Sequence, residues 1–192
     1  DTKIQYTNAK ANNRTIGGPN GSNPFYLLNL MPRSLDVTQF RNSVDANGNM
    51  IWYGTGSGIN PYWGYQYNLN EDERDRIMMN GSLKYEIASW LTGQINAGAD
   101  IYTNNSNART YSGSPLTPTG RYSLGKNTFT ETNFQALFIA KKDDLFGKFG
   151  GMATLGGNLM DRQSSSISGS AGQLVVPNLF ALNNAVGNPT VG

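Results

Sequence analysis

The stretch LTGQINAGADIY, residues 91–102, alternates between apolar or small side chains and polar ones. Leu91 and Ile95 fall in one phase together with glycines and alanines, whereas Asn96 and Asp100 fall in the other. Side chains two positions apart share a face of a β-strand. The stretch therefore predicts a strand that has one apolar face and one polar face.

Three further segments show a similar alternation, and together they predict two long β-hairpins. The hairpins cover about 73–86/90–103 and 127–141/146–160, with short turns at 87–89 and 142–145. A polar run rich in Asn, Ser, Gly, Thr and Pro separates them, at 104–126. Strands of about ten residues, with short turns at one end and long loops at the other, are typical of bacterial transmembrane barrels. Soluble sandwiches usually have strands of about five or six residues.

The sequence thus predicts an all-β fold, an antiparallel transmembrane β-barrel fragment with long extracellular loops. Residues 1–72 are predicted to be an extracellular loop region with short helical and hairpin pieces. Residues 73–160 are predicted to be the two transmembrane hairpins and the extracellular loop that joins them, and 161–192 a further extracellular loop. Two hairpins cannot close a barrel, since the smallest have about eight strands. We therefore expect the chain to be an internal piece of a longer polypeptide.

The strand phases also predict which way the side chains face. The apolar phase, expected to face lipid, contains Ile77, Leu83, Ile95, Ile101, Phe134, Phe138, Phe149 and Leu155. The polar phase, expected to face the lumen, contains Arg76, Lys84, Asp100 and Glu131. Leu137 and Ile139 share the phase of Glu131 and so break this pattern in the third strand.

Composition argues against catalysis and against nucleic-acid binding. Charged residues make up 15% of the 192 residues, and the chain has 23 Gly. The charged fraction is below the roughly 25% usual in soluble domains. The net charge of +2 is too small to favour nucleic acid. Cys and His are both absent, which removes thiolate chemistry and the commonest general base and metal ligand. We expect no catalytic residue, no metal site, no cofactor and no enzymatic activity.

The order of several short motifs adds a family resemblance that covers about residues 24–184. The motifs are Met31 to Asp36 (MPRSLD), Asn60 to Trp63 (NPYW), Asn68 to Arg76, Ile87 to Leu91, Gly151 to Asn158, and Leu174 to Phe180. In this order and spacing they resemble the mid-barrel region of SusC/RagA-type TonB-dependent outer-membrane transporters of Bacteroidetes.

This resemblance implies a plugged barrel of about 22 strands, the size class of outer-membrane transporters. It also implies import of oligosaccharides or peptides under a SusD-like surface lipoprotein that acts as a lid. Coupling to TonB would pass through an N-terminal part outside this chain, and the surrounding partner would be outer-membrane lipid.

Aromatic residues are the remaining functional candidates. Tyr85, Trp90, Phe146 and Phe149 lie near the short turns, while Tyr102, Tyr111, Tyr122 and Phe129 lie toward the long loops, as two interfacial girdles would. A separate set brackets the Gly-rich run 54–58 and is predicted to contact substrate or lid: Trp52, Tyr53, Tyr62, Trp63 and Tyr65. Packing within the loop explains this set equally well.

Two alternative functions are also compatible with parts of the sequence. A surface or secreted β-rich glycan-binding module would use the 52–67 aromatic loop. A glycoside hydrolase fragment is the weakest alternative, because the acids at 71–75 read as a charged strand end rather than a separated carboxylate pair.

Asp45, Asn47 and Asn49 resemble the start of a calcium loop, but Gly56 stands where a bidentate Glu is needed. A tight turn is the better interpretation of that segment.

Overall fold

The computed structural model describes residues 1–54, 58–147 and 149–192, without the side chains of residues 145 and 146. The fold is all-β: six strands, neighbours in chain order, form one antiparallel sheet that is not closed, with β1 and β6 at its edges. The strands are β1 (Thr2–Asn12), β2 (Asn68–Ala88), β3 (Leu91–Thr110), β4 (Arg121–Phe146), β5 (Phe149–Ser170) and β6 (Thr190–Val191). The helices are α1 (Pro24–Leu30), α2 (Pro61–Tyr67) and two 3-10 helices at Val37–Phe40 and Leu182–Asn184. In the described part of the chain, no helix is both long and apolar enough to span a bilayer.

The strand β1 corrects the prediction that residues 1–72 hold only loops, short helices and a small hairpin. Asp1 exchanges backbone hydrogen bonds with Ser82, and the Asn13 amide donates to the Asn70 carbonyl, so β1 pairs along β2. Ile4 and Tyr6 are the only large apolar side chains of β1. The period-two signal was therefore too weak to reveal the strand.

The other strands are longer than the sequence indicated. The polar ends of β3 and β4 reduce the predicted 104–126 loop to a connection at 111–120, and β5 continues to Ser170. The expected turn at 142–145 is wrong, because β4 runs to Phe146 and the turn includes Gly147, whose φ is +71°. A positive φ has little steric cost for glycine, whereas Lys, Asp and Leu at 142–145 accept extended geometry. Of the Gly-rich run 54–58, residues 55–57 lie outside the described part of the chain.

The chain divides into two compact units. The first contains residues 1–9, 74–104 and 127–165. Its predicted lipid-facing side chains are exposed or half-buried, with Leu83 66%, Phe138 50% and Leu155 74% exposed. Every buried apolar side chain that the structure describes belongs to the second unit. The first unit is thus a sheet without an apolar core of its own.

Leu137, which broke the predicted phase, packs over the neighbouring strand β5. A Cβ added at Gly156 would collide with the Leu137 side chain and lie 2.8 Å from the Ala136 carbonyl oxygen. The glycine therefore makes room for the leucine on the polar side of the sheet. This contact explains how an apolar side chain is accommodated in the phase of Glu131.

The second unit contains residues 10–73, 105–126 and 166–192, and so includes the three long connections. Its buried apolar side chains are Leu27, Ile59, Trp63, Ala171 and Leu174. A chain of ring contacts continues from Trp63 to Tyr67 (4.3 Å between centroids), Tyr111 (5.6 Å) and Phe180 (4.9 Å). These rings join α2 to the connections that follow β3 and β5.

Both α-helices of the second unit begin with the same Asn-Pro pair. Asn23 and Asn60 are the N-caps, accepting hydrogen bonds from the amides of Phe25 (3.1 Å) and Tyr62 (2.9 Å), and Pro follows each cap. Proline suits the first helical position, where an N–H has no intrahelical partner. The Asn60 amide nitrogen also donates to the carbonyls of Phe40 (2.9 Å) and Ile51 (2.8 Å). Asn60 therefore ties α2 to two loop segments while being fully buried.

We expect Asn60→Ala to destabilise the second unit by about 2–4 kcal/mol, since it removes a cap and leaves two part-buried carbonyls without their donor. Asn23→Ala is the matched control, because Asn23 caps α1 and otherwise donates only to the Gly18 carbonyl. Its cost should be about 1 kcal/mol. Urea unfolding followed by tryptophan fluorescence compares the two, and equal losses would contradict the bracing role of Asn60.

Candidate functional site

The polar face of the first unit carries two hydrogen-bonded ion pairs, which involve four successive strands. Arg76 on β2 binds both carboxylate oxygens of Asp100 on β3, at 2.8 Å from Nε and 2.6 Å from a terminal nitrogen. Arg162 on β5 donates from Nε to Glu131 on β4 at 2.6 Å. The Arg76–Asp100 pair is bidentate, a geometry that makes an arginine–carboxylate contact strong and directional.

The pairing of β3 with β4 brings the two carboxylates into one row. Asn96 donates to Gln135 at 2.8 Å, and the hydroxyls of Thr103 and Thr128 lie 3.4 Å apart. Positions 100 and 131 fall between these two cross-strand contacts, directly opposite each other. The row across the sheet therefore reads Arg76, Asp100, Glu131, Arg162, with both acids inside and both bases outside.

This row borders a concave surface of about 540 Å³ that residues of the first unit line. Besides Asp100 and Glu131, its lining includes Asn80, Asn133 and Asn158. Three of the predicted polar-phase residues are thus brought together, two directly at the surface and Arg76 through its bond to Asp100. Lys84 is exposed on the same phase of β2 but does not line this surface.

The chemistry available at the polar face is hydrogen bonding and charge. Among the described residues, no group of three His, Cys, Asp or Glu side chains could hold a metal ion. Both carboxylates accept from arginines, and the Asn96 amide donates to Gln135 across β3 and β4. Such a surface can hold water, a polar ligand or a polar protein segment.

The aromatic candidates divide into packed and exposed rings. Trp52 packs edge-on against Phe40 (4.9 Å between centroids) and at a tilt against Tyr53 (4.8 Å), and Tyr62 is half-buried. Trp63 is 1% exposed, so a contact between this ring and a substrate or lid would require α2 to move. Tyr65, on the same helix, is 75% exposed. Of the predicted contact residues, Tyr65 offers the most open ring.

Tyr65 borders a second concavity, of about 380 Å³, formed within the second unit. Leu27, Ile59 and Leu116 supply apolar lining, while Arg14 and Arg121 supply charge. Four asparagines line it as well, namely Asn13, Asn60, Asn68 and Asn70. We call this concavity the amide pocket; its volume is in the range of small-molecule sites.

A single carboxamide positions Arg14 at the amide pocket. Asn70 accepts a hydrogen bond from the Arg14 amide (2.9 Å) and donates to the Arg14 carbonyl (3.2 Å). Asn13 precedes Arg14 with φ of +53°, a conformation that asparagine tolerates better than most residues. The side chain of Arg14 then pairs with Asp72 at 2.8 Å.

Sequence reasoning missed Arg14, Arg121, Asn68 and Asn70 as parts of a site. They come from three separate segments of the chain, and no sequence pattern indicated that these segments meet. The one available signal was the repeated Asn-Pro pair, which marks the start of both helices that border the pocket.

The segment once compared with a calcium loop is a turn organised by Asp45. Its carboxylate accepts from the amides of Asn47 (2.9 Å) and Asn49 (2.7 Å), and Val44 bridges Met50. The amide hydrogen bond from Asn49 is the largest cause that lowers the pKa of Asp45. The carboxylate thus holds the loop together from within.

No family model matches the chain, and a search of curated proteins finds no match.

Acid should loosen the Asp45 turn. A carboxylate whose pKa is lowered in the folded state stabilises that state above the unfolded pKa and stops doing so as pH falls through the folded value. We expect the backbone amide signal of Asn49 to shift in an NMR titration at a pH below about 3.9, the ordinary Asp value. Asp45→Asn should abolish that transition, and a transition that persisted in this variant would assign it elsewhere.

Proposed function

We propose that this chain forms part of the wall and the extracellular loops of a TonB-dependent outer-membrane importer of the SusC/RagA type. The proposal rests on the character of the first unit. Its long adjacent strands have exposed apolar side chains on one face and hydrogen-bonded polar side chains on the other, and its described residues include no apolar core. Exposing the apolar face to water would be costly, since burying apolar surface stabilises a protein by about 25 cal/mol per Å². Lipid removes that cost.

Strand length supports the same proposal. The parts of the strands in the first unit, such as Leu91–Asn104 and Asn127–Phe146, exceed the 9–11 residues that a tilted strand needs to cross a bilayer. The sheet edges at β1 and along most of β5 would be covered by further strands of the barrel, since exposed backbone groups are not tolerated in hydrocarbon.

Chain direction places the three long connections at the same end of the strands. The short turns follow β2 and β4, so the connections after β1, β3 and β5 all lie at the opposite end. In outer-membrane barrels the long connections are extracellular. The second unit would then meet substrate and a SusD-like lipoprotein lid, with TonB engaged through another part of the polypeptide.

The substrate of this importer would be an oligosaccharide or a peptide. The open ring of Tyr65 and the amides around it support contact with either class, because aromatic rings provide contact area at low entropic cost. A β-rich glycan-binding module would use the same ring, but it would not need a sheet that exposes Leu83, Phe138 and Leu155.

Adjacent positions on β3 provide the decisive test. Ile95 lies on the apolar face, whereas Asn96 lies on the polar face and donates to Gln135. In the full-length protein, Ile95→Arg should destabilise the membrane-inserted barrel by about 2–4 kcal/mol, as for Arg at the lipid-facing midplane. Asn96→Arg should cost less. Urea titration of the protein refolded in phospholipid vesicles measures both, and an equal or reversed order would reject the assignment of the faces.

A second test addresses the aromatic segment. We expect replacement of Trp52, Tyr62 and Tyr65 by Ala to weaken uptake or lid association in the full-length protein, while the barrel remains in the outer membrane. Tyr85→Ala is the control, because Tyr85 is similarly exposed at 70% but belongs to the first unit. Uptake and lid binding that stay at the wild-type level in the triple variant would reduce these rings to a packing role.

A further inference from the structure

We infer that the amide pocket binds an acidic sugar, a pyranose that carries a carboxylate. As the entry site for a transported substrate this inference rests on the importer function, but the binding itself does not. Three features of the pocket favour such a ligand: the charge of the lining, the buried side-chain oxygen of Asn68 and the open ring of Tyr65.

The charge of the lining is the first observation. Arg14 and Arg121 border the pocket, and among the described residues that line it there is no Asp or Glu. Asp72 neutralises Arg14 from outside the lining, at 2.8 Å. Arg121 is exposed and has no ion-pair partner in the described part of the chain. The pocket therefore holds one uncompensated guanidinium, which suits a carboxylate.

The second observation is an acceptor without a donor. The side-chain oxygen of Asn68 is buried and has no hydrogen-bond partner in the described part of the chain, and Asn68 lines the pocket. An acceptor of this kind gains a hydrogen bond when the Asn68 amide turns toward the pocket and meets a donor from water or from a ligand. A sugar hydroxyl can donate to it, whereas a fully ionised phosphate or sulfate ion can only accept.

The third observation is the mixed character of the remaining walls. Tyr65 presents an open ring, and Leu27, Ile59 and Leu116 provide apolar surface beside it. The C–H face of a pyranose packs against such surfaces while its hydroxyl edge turns to polar groups. A carboxylate near Arg121, a hydroxyl near Asn68 and a ring face against Tyr65 would use all three features together.

Isothermal titration of the detergent-solubilised full-length protein tests this inference with a matched pair of probes. Methyl glucuronide and methyl glucoside differ only in the carboxylate that replaces a hydroxymethyl group. We expect the glucuronide to bind at least about tenfold more tightly, as a charge-assisted hydrogen bond implies. Equal affinity for the two sugars, or binding of neither, would overturn the inference.

Two variants assign the binding to the pocket. Arg121→Gln should remove the preference for the glucuronide, and its exposed position leaves the fold intact. Arg41→Gln is the control, since Arg41 is an exposed arginine of the same unit that does not line the pocket. An equal loss in both variants would show nonspecific charge attraction and overturn the inference.

A competing ligand class gives a further outcome. An acidic dipeptide that binds more tightly than the glucuronide, with the same dependence on Arg121, would overturn the sugar assignment. The membrane test on Ile95 and Asn96 is independent of these titrations. Failure there would reject the importer and leave the sugar site standing, whereas failure here would reject only the sugar site.

Discussion

The two-residue period of a strand is the constraint on which the first unit depends. Asn96 bonds Gln135 across β3 and β4, so their neighbours Ile95 and Phe134 are directed to the other side. A slip of one residue would reverse every side chain of the slipped strand. Phe134 and Phe138 would then enter the polar row, and Glu131 would lose Arg162. The cross-strand amide and ion pairs therefore specify register in a unit whose described residues include no buried apolar side chain.

The second unit is held together differently: asparagine side chains form the hydrogen bonds with loop backbone that regular secondary structure would otherwise provide. Loop backbone buried away from water must still form its hydrogen bonds. Asn60 satisfies carbonyls of Phe40 and Ile51, and Asn184 accepts from the Val176 amide while donating to the carbonyls of Val176 and Leu179. The high asparagine content that reads as loop in the sequence is what allows these connections to be ordered around Trp63 and Leu174.

The sequence was most informative where a strand has one apolar face and one polar face, because the two kinds of side chain must then alternate. The cores of β2 to β5 were predictable because Ile95 or Leu83 must be separated from Asn96 or Lys84 on opposite faces. It was least informative where both faces are polar, as at 104–110, 161–170 and in β1, since backbone pairing there leaves no hydrophobic period. The charged run at 142–145 looked like a turn, yet Gly147 had the freer backbone. The amide pocket was not predictable, because Arg14, Asn68 and Arg121 meet only through tertiary packing.

The order of the strands in the sheet also bears on how the chain assembles. Every neighbouring pair is consecutive in sequence, and β2–β3 and β4–β5 are joined by the shortest links. Closing a short loop costs less chain entropy than closing a long one, and local pairings form faster than distant ones. The two hairpins are therefore the natural nuclei, and they can join through the 111–120 connection before the long 13–67 segment has found its place. Late attachment of β1 would leave the edge of β2 unpaired until the two hairpins have joined.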